Sequence, residues 1–365
     1  MRRLILVFLG VFLAFFLNMT AYSEGLDFGG ESLYEALPGE ALEMLEDAEI
    51  TPDNSGELNI TFGEVLSSLW ELFKNEATKP LRLFCGLLAV IILCVMAESL
   101  SQSGDLKGVF SAVGALCGAG IAAAAISEIL GQTLEVLSAA ANFALVFIPV
   151  FTGISAVLGH VSTASAVNSA VLAATQLFSQ LAVNFLAPLC GSILGVSAAG
   201  AAHPQLKLDK LGEVIKKFVV WGLTLIMTVF MSVLSTQTLV SSAADNTAIK
   251  AAKFAVSQGV PIVGGTISDA VNTLSGGITM LKSSVGTYGI IAAAAIILPT
   301  LVSLTCYRLA LFCAQSTAEM FGLKELGTLF KSCCSVMTII QAVTVCFLLL
   351  NTLAVFLMLA LTGSV

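Results

Sequence analysis

Apolar residues gather into runs of about 18 to 25 positions, separated by short polar interruptions. At a rise of ~1.5 Å per residue such a run crosses a hydrocarbon core of ~30 Å as an α-helix, which pairs every backbone polar group where water is missing. The pattern predicts spans at 83–98, 108–127, 143–159, 166–187, 218–240, 287–306 and 333–361. The expectation is an all-α, polytopic membrane bundle of about seven spans, with a range of six to eight. Residues 333–361 are longer than one perpendicular crossing needs and call for tilt. Residues 188–202, opened by Pro188 and rich in Gly and Ala, either extend the fourth span or make a re-entrant turn.

Ahead of the spans the pattern changes three times. Met1-Arg2-Arg3, an apolar run from Leu4 to Leu17 and the small residues Ala21 and Ser23 have the three parts of a secretory signal peptide, residues 1–23. Cleavage after Ser23 would start the mature chain at Glu24; the other reading is an uncleaved anchor. Residues 24–64 form an acidic leader with one candidate helix from Gly30 to Ala48, carrying Leu33, Leu37 and Leu45 and broken at Pro38-Gly39. Residues 65–80 continue as an amphipathic helix in which Val65, Leu66, Leu69, Trp70 and Phe73 recur at helical spacing. Trp70, Lys74 and Lys79 suit a membrane interface. The multi-pass domain fills 81–365.

Composition agrees: 57% of residues are hydrophobic and 11% charged, more apolar than water-soluble domains tolerate. The net charge of −8 is less informative than its placement, because 12 of the 24 acidic residues lie between Glu24 and Glu64, with no Lys or Arg among them. Such a segment repels nucleic acid and anionic lipid and belongs outside the cytoplasm. Lys207, Lys210, Lys216 and Lys217 should be cytoplasmic, yet Lys250, Lys253 and Lys282 lie beyond the other end of span 218–240, so charge alone leaves the orientation open. The nine cysteines fall in or beside apolar runs without a CxxC pair, and read as small buried hydrophobes.

Two regions share a motif. Phe143-Ala144 precedes Pro149 and Gly153, and Phe254-Ala255 precedes Pro261, Gly264 and Gly265, each followed by a Ser/Thr/Gly-rich stretch. Helix breaks at matching points of two halves are the mark of repeat-built membrane cores with a functional centre between the repeats. On this reading Pro261, Gly264, Gly265 and Asp269 form a helix break at that centre, and Pro149 and Gly153 are its counterpart. The alternative is chance similarity, with Asp269 in a solvated loop. Asn168, Gln176, Gln180 and Asn184 share one broad side of a helix, either as hydrogen-bonding glue or as the polar lining of a pathway. His160 reads as an interfacial histidine, Arg308 as a snorkelling anchor, and Glu98, Glu128 and Glu135 as span-end residues. Gly114/Gly118 and Gly191/Gly195 are GxxxG pairs for close helix approach.

Absences narrow the function. No Lys follows a Gly, so the phosphate-binding GxxxxGK[ST] loop is missing, and neither an HExxH pair nor a GxSxG elbow occurs. No enzymatic activity and no cofactor are expected.

The residues Ala252-Lys253-Phe254, Pro261-Ile262-Val263-Gly264-Gly265, Asp269-Ala270, Leu281-Lys282 and Val285-Gly286 resemble the signature stretch of the stage III sporulation protein AE family. The signal peptide, acidic leader, length and span arrangement are similar too. The resemblance implies a protein of the mother-cell membrane around the engulfed forespore. Its implied partners are the other proteins of the stage III sporulation A operon and a forespore-side protein, in a channel-like or secretion-like complex supporting late forespore gene expression and forespore integrity. It implies no catalytic or ligand residues. A rival from another class is a permease moving a small solute on its own. The bilayer is a partner on either reading; nucleic acid is not.

Overall fold

A computed structural model describes residues 30–48, 50–52, 55, 70–100, 104–202, 209–259 and 264–362. These residues are almost wholly helical, with no strand among them. The expected signal peptide (1–23), residues 56–69 of the leader and interfacial helix, and Pro261 lie outside the described residues.

The leader forms two short helices, α1 (Gly30–Glu35) and α2 (Gly39–Asp47). They part where expected, at Pro38, whose extended backbone (φ −61°, ψ 145°) precedes the first turn of α2. Leu33, Leu37, Ala41 and Leu45 recur every four residues and are all buried, so the acidic leader docks by an apolar stripe instead of hanging loose. Residues 70–76 are helical, with Trp70 exposed and stacked on Phe73 at 5.8 Å.

The long helices follow: α3 (Thr78–Leu100), α4 (Gly104–Val157), α5 (Val161–Leu181), α6 (Ala187–Ala202), α7 (Asp209–Gly259), α8 (Gly264–Met320) and α9 (Lys324–Thr362). A π-helical turn, Ala182–Leu186, joins α5 to α6, so residues 188–202 extend the fourth span and no re-entrant turn occurs there. Among the described residues, six helical stretches are long and apolar enough to cross a membrane, one fewer than the seven expected and inside the expected range. The difference is at α4, where the runs 108–127 and 143–159 belong to one helix. Glu128 and Glu135 interrupt the apolar run but are good helix formers, so polarity there does not end the helix.

The break expected at Pro149 is absent, because α4 continues through that residue to Val157. Pro149 lacks the N–H that would bond Leu145, a loss that packed membrane helices tolerate. The turn comes ten residues later, at Gly159 (φ 90°), where the His160 N–H donates to Ser155 O (3.2 Å) and the Gly159 N–H to Ala156 O (2.9 Å). The α8–α9 turn repeats this cap at Gly322 (φ 80°), with Leu323 N–H donating to Ala318 O at 3.0 Å. Each glycine supplies the left-handed residue on which such a cap depends.

Glycine notches set the helix pairing. Gly114 faces Cys94 of α3, and Gly118 faces Leu326 and Phe330 of α9, so this GxxxG pair works as expected. Gly191 and Gly195 face open space within 4 Å. Gly286 and Gly289 of α8 receive Phe151 and Phe147 of α4, which makes the two helices antiparallel neighbours. α8 and α9 form the centre of the bundle, and Tyr288, Leu311, Phe330, Val336 and Phe347 are fully buried there.

Candidate functional site

Polar groups converge at two levels of the bundle. The first is where the leader docks. Ser55 Oγ donates to Ser284 O at 2.7 Å, and Ser284 Oγ donates to Pro52 O at 2.8 Å, so the leader and α8 exchange two hydrogen bonds through buried hydroxyls. Tyr34 lies edge-on to Tyr288 at 6.1 Å. At the same end, beyond the α4–α5 turn, α5 begins with unpaired backbone donors, as every helix does. Asp245 of α7 reaches across to them: the Ser162 N–H donates to Oδ1 at 3.0 Å and the Thr163 N–H to Oδ2 at 2.8 Å. The Asp245 side chain is buried, so a carboxylate at the positive end of the α5 dipole ties two distant segments together.

The second level is a belt of charge part-way along the helices. Lys79 Nζ meets Glu128 Oε1 at 3.1 Å, both about half exposed, a pair that marks a level more than it stabilises it. The antiparallel register of Phe147 with Gly289 brings Glu128 of α4 to the level of Tyr307 on α8. Arg308 Nη1 donates to Gln341 Oε1 (3.0 Å), and Gln341 Nε2 donates to Thr305 Oγ1 (3.0 Å), so the guanidinium is held by a chain of two bonds between α8 and α9. Beside it a cleft of about 900 Å³ opens between α7, α8 and α9. Lys216, Lys217, Arg308 and Lys331 border it with Trp221 and Phe312 among the described residues. From Tyr288 to Arg308 is about twenty helical residues, or ~30 Å, so leader dock and belt stand one hydrocarbon thickness apart on α8.

The residues singled out from sequence are distributed differently. Gly264 and Gly265 open α8, and Asp269 lies in its second turn; α7 ends at Gly259. Pro149 and Gly153 sit inside α4, where no atom lies within 4 Å of a side chain built on Gly153, while Pro261 of the other motif lies outside the described residues. Asn168 and Gln176 are half-buried, and Gln180 and Asn184 are exposed. The buried face of α5 is instead Val167, Val171, Thr175 and Phe178, and Thr175 Oγ1 donates to Asn351 Oδ1 of α9 at 3.3 Å. The four amides therefore run along the rim of the packed face. Arg308 is not a free anchor, because Gln341 orients it.

Sequence reasoning missed Asp245, the Gly286/Gly289 notch and the cleft. Asp245 carried a usable signal as the sole acidic residue between Glu213 and Asp269, beside an apolar run. The cleft carried none, since its cations are some ninety residues apart between α7 and α8.

A family model described as stage III sporulation protein AE matches residues 47–362 of the chain. The stage III sporulation protein AE of Bacillus subtilis (strain 168) is 21% identical over 239 residues, which cover 65% of this chain and 60% of that protein. The match thus spans less than two thirds of that relative's length. No solved structure matches.

Proposed function

The chain belongs to the stage III sporulation protein AE family, and we propose that it is a multi-pass membrane subunit of the channel-like or secretion-like complex linking mother cell and forespore. In this role it sits in the mother-cell membrane around the forespore and supports late forespore gene expression and forespore integrity. Its partners are the other proteins of the stage III sporulation A operon and a forespore-side protein. The docked leader faces the space between the two membranes, and the basic belt faces the mother-cell cytoplasm, in keeping with the charge of each. The role is structural or conductive and needs no catalytic residue.

The observation that carries the subunit reading is α7. Its apolar stretch is only 6% buried, and Thr224, Thr228, Ser232 and Thr236 form a stripe along it. Each hydroxyl donates to the carbonyl four residues earlier, which leaves a smooth face of small residues of the kind that membrane helices use against each other. Purification of the tagged protein from sporulating cells should recover the other operon products with it, and deletion of its gene should stop sporulation after engulfment with normal vegetative growth. Recovery of the protein alone, with a vegetative growth defect and normal spore yield, would favour the lone permease.

A further inference from the structure

We propose that the part of the bundle beyond the charged belt, on the side away from the leader dock, stands outside the bilayer and is an interface with a second copy of this chain. Length carries the argument. The apolar stretch of α4 runs over 46 residues, Ala112–Val157, and that of α8 over 38, Ser283–Met320. At ~1.5 Å per residue these measure ~69 Å and ~57 Å, against a hydrocarbon core of ~30 Å and a bilayer of ~45 Å with its head groups. Tilt does not absorb the excess: at ~40°, the steepest that membrane helices adopt, α4 still reaches through ~50 Å. The belt divides this length in two. On one side of it the leader dock lies a hydrocarbon thickness away. On the other side α3 runs from Lys79 to Leu100, and α4 runs back from Glu128 to Gly104, each over ~30–36 Å. These helices pack into one tip tier, with Gly114 against Cys94 and Gly118 against Leu326 and Phe330 of α9. Two apolar tiers are stacked, and a bilayer holds one.

The orientation proposed above, on which this inference rests, puts the dock tier in hydrocarbon and the tip tier in the cytoplasm. Yet the tip tier is not surfaced for water. Leu81, Ile92, Leu93 and Met96 of α3 and Val113 and Leu116 of α4 are each more than half exposed. Among the described spans that of α3 also has the highest mean hydropathy, 2.4. Six such side chains on adjoining helices make a patch of roughly several hundred Å², more than soluble surfaces leave to water and comparable with the ~800 Å² that each partner buries in a specific interface. Cys85, Ala89, Ile92 and Met96 are exposed at alternating spacings of four and three, the rhythm of a seam packed against another helix. Length selects the occupant. A second copy, inserted in the same membrane with the same orientation, presents an apolar tier of equal length at the same height, so the two patches meet side by side.

The test places a benzophenone amino acid in the full chain at Leu93 or Leu116 of the tip tier, or at Leu177, an exposed position of α5 in the dock tier. Membranes are irradiated intact and the adducts are identified by mass. The probe at Leu93 should join two copies of the chain, at a yield at least fivefold above that at Leu177, where lipid adducts should dominate. With the probe at Leu116, the double variant I92S/M96S should lower the yield of joined copies at least fivefold, and L177S should leave it within twofold. Lipid adducts at both Leu93 and Leu177 overturn the proposal, because the whole bundle then faces lipid. A link from Leu93 back into its own chain, or to a different protein, overturns the second copy as occupant. Lipid adducts at Leu93 with joined copies at Leu177 mean that the tiers are exchanged, and overturn the proposed orientation together with the inference. If the probe variants are not recovered folded, light scattering in detergent decides: wild-type protein should have at least twice the mass of I92S/M96S, and monomeric wild type overturns the interface.

Discussion

α7 and α9 are almost equally apolar, yet 67% of the apolar stretch of α9 is buried in the bundle against 6% of that of α7. In water the second helix would be an error. In a bilayer both are stable, because lipid solvates an apolar face as well as a neighbouring helix does, and hydropathy therefore reports only that a segment avoids water. What separates the two is detail that hydropathy does not weigh. The centre of the bundle has glycine notches at Gly286 and Gly289 filled by Phe151 and Phe147, and buried hydroxyls such as Thr344 satisfied within their own helix. Among its described residues α7 contributes little to that centre: Leu234 is the fully buried apolar one and Asp245 the buried polar one.

The largest effect should come from filling a notch. A side chain added at Gly289 would overlap the Phe147 ring, which is buried and itself stacked between Phe143 and Phe151 at 5.6 Å on each side. Gly289→Leu should cost about 3 kcal/mol or more, read as loss of folded protein on size exclusion in detergent. Normal recovery of this variant would mean that α4 and α8 are not locked together.

The next test divides α7 itself. Leu234→Ala opens a cavity at a fully buried position and should cost about 2–3 kcal/mol. Val229→Ala, at a position 54% exposed, should stay within about 0.5 kcal/mol. Denaturation of the two variants by titration with SDS would show the contrast, and equal effects would remove the distinction between a packed edge and a lipid-facing side.

Between those values stands Asp245→Leu, expected to cost about 2 kcal/mol by leaving the Ser162 and Thr163 N–H groups without their acceptor. Asp245→Asn keeps one carbonyl oxygen and should cost about half as much. Hydrogen exchange at the start of α5 would report it directly, with faster exchange in the leucine variant than in the asparagine variant.

These sites also mark what was legible in the sequence. The all-helical fold and nearly every span could be read, because runs of twenty apolar residues have few other uses. The fusion of 108–127 with 143–159 could not, because Glu128, Gly131 and Glu135 lower the hydropathy while the helix persists. Pro149 misled for a related reason: proline ends helices in water more readily than inside a packed membrane bundle, and the chain turns at Gly159, where a left-handed residue is needed. The family resemblance was legible because it rests on sequence itself. The cleft and the leader dock were not, since Arg308 and Lys216, or Ser55 and Ser284, meet only after the long helices choose partners.

The smallest expected effect tests whether buried polar contacts matter to the centre at all. Thr175 of α5 is fully buried and donates to Asn351 Oδ1 at 3.3 Å, while Asn351 Nδ2 donates to Phe347 O at 3.0 Å on its own helix. The bond between helices is therefore long, and one of its partners is already engaged locally. Hydrogen bonds between membrane helices average about 0.6 kcal/mol, because the separated helices find other partners for the same groups. Thr175→Val keeps the branched shape and removes the donor, and Asn351→Leu removes the acceptor at similar volume. The double-mutant cycle should give a coupling of about 0.5 kcal/mol by SDS titration. A coupling above ~1.5 kcal/mol would show that α5 is held to α9 by this bond more than by the contact of Phe178 with Phe347 at 5.8 Å, and that the centre of the bundle rests on polar pairing where packing was expected to suffice.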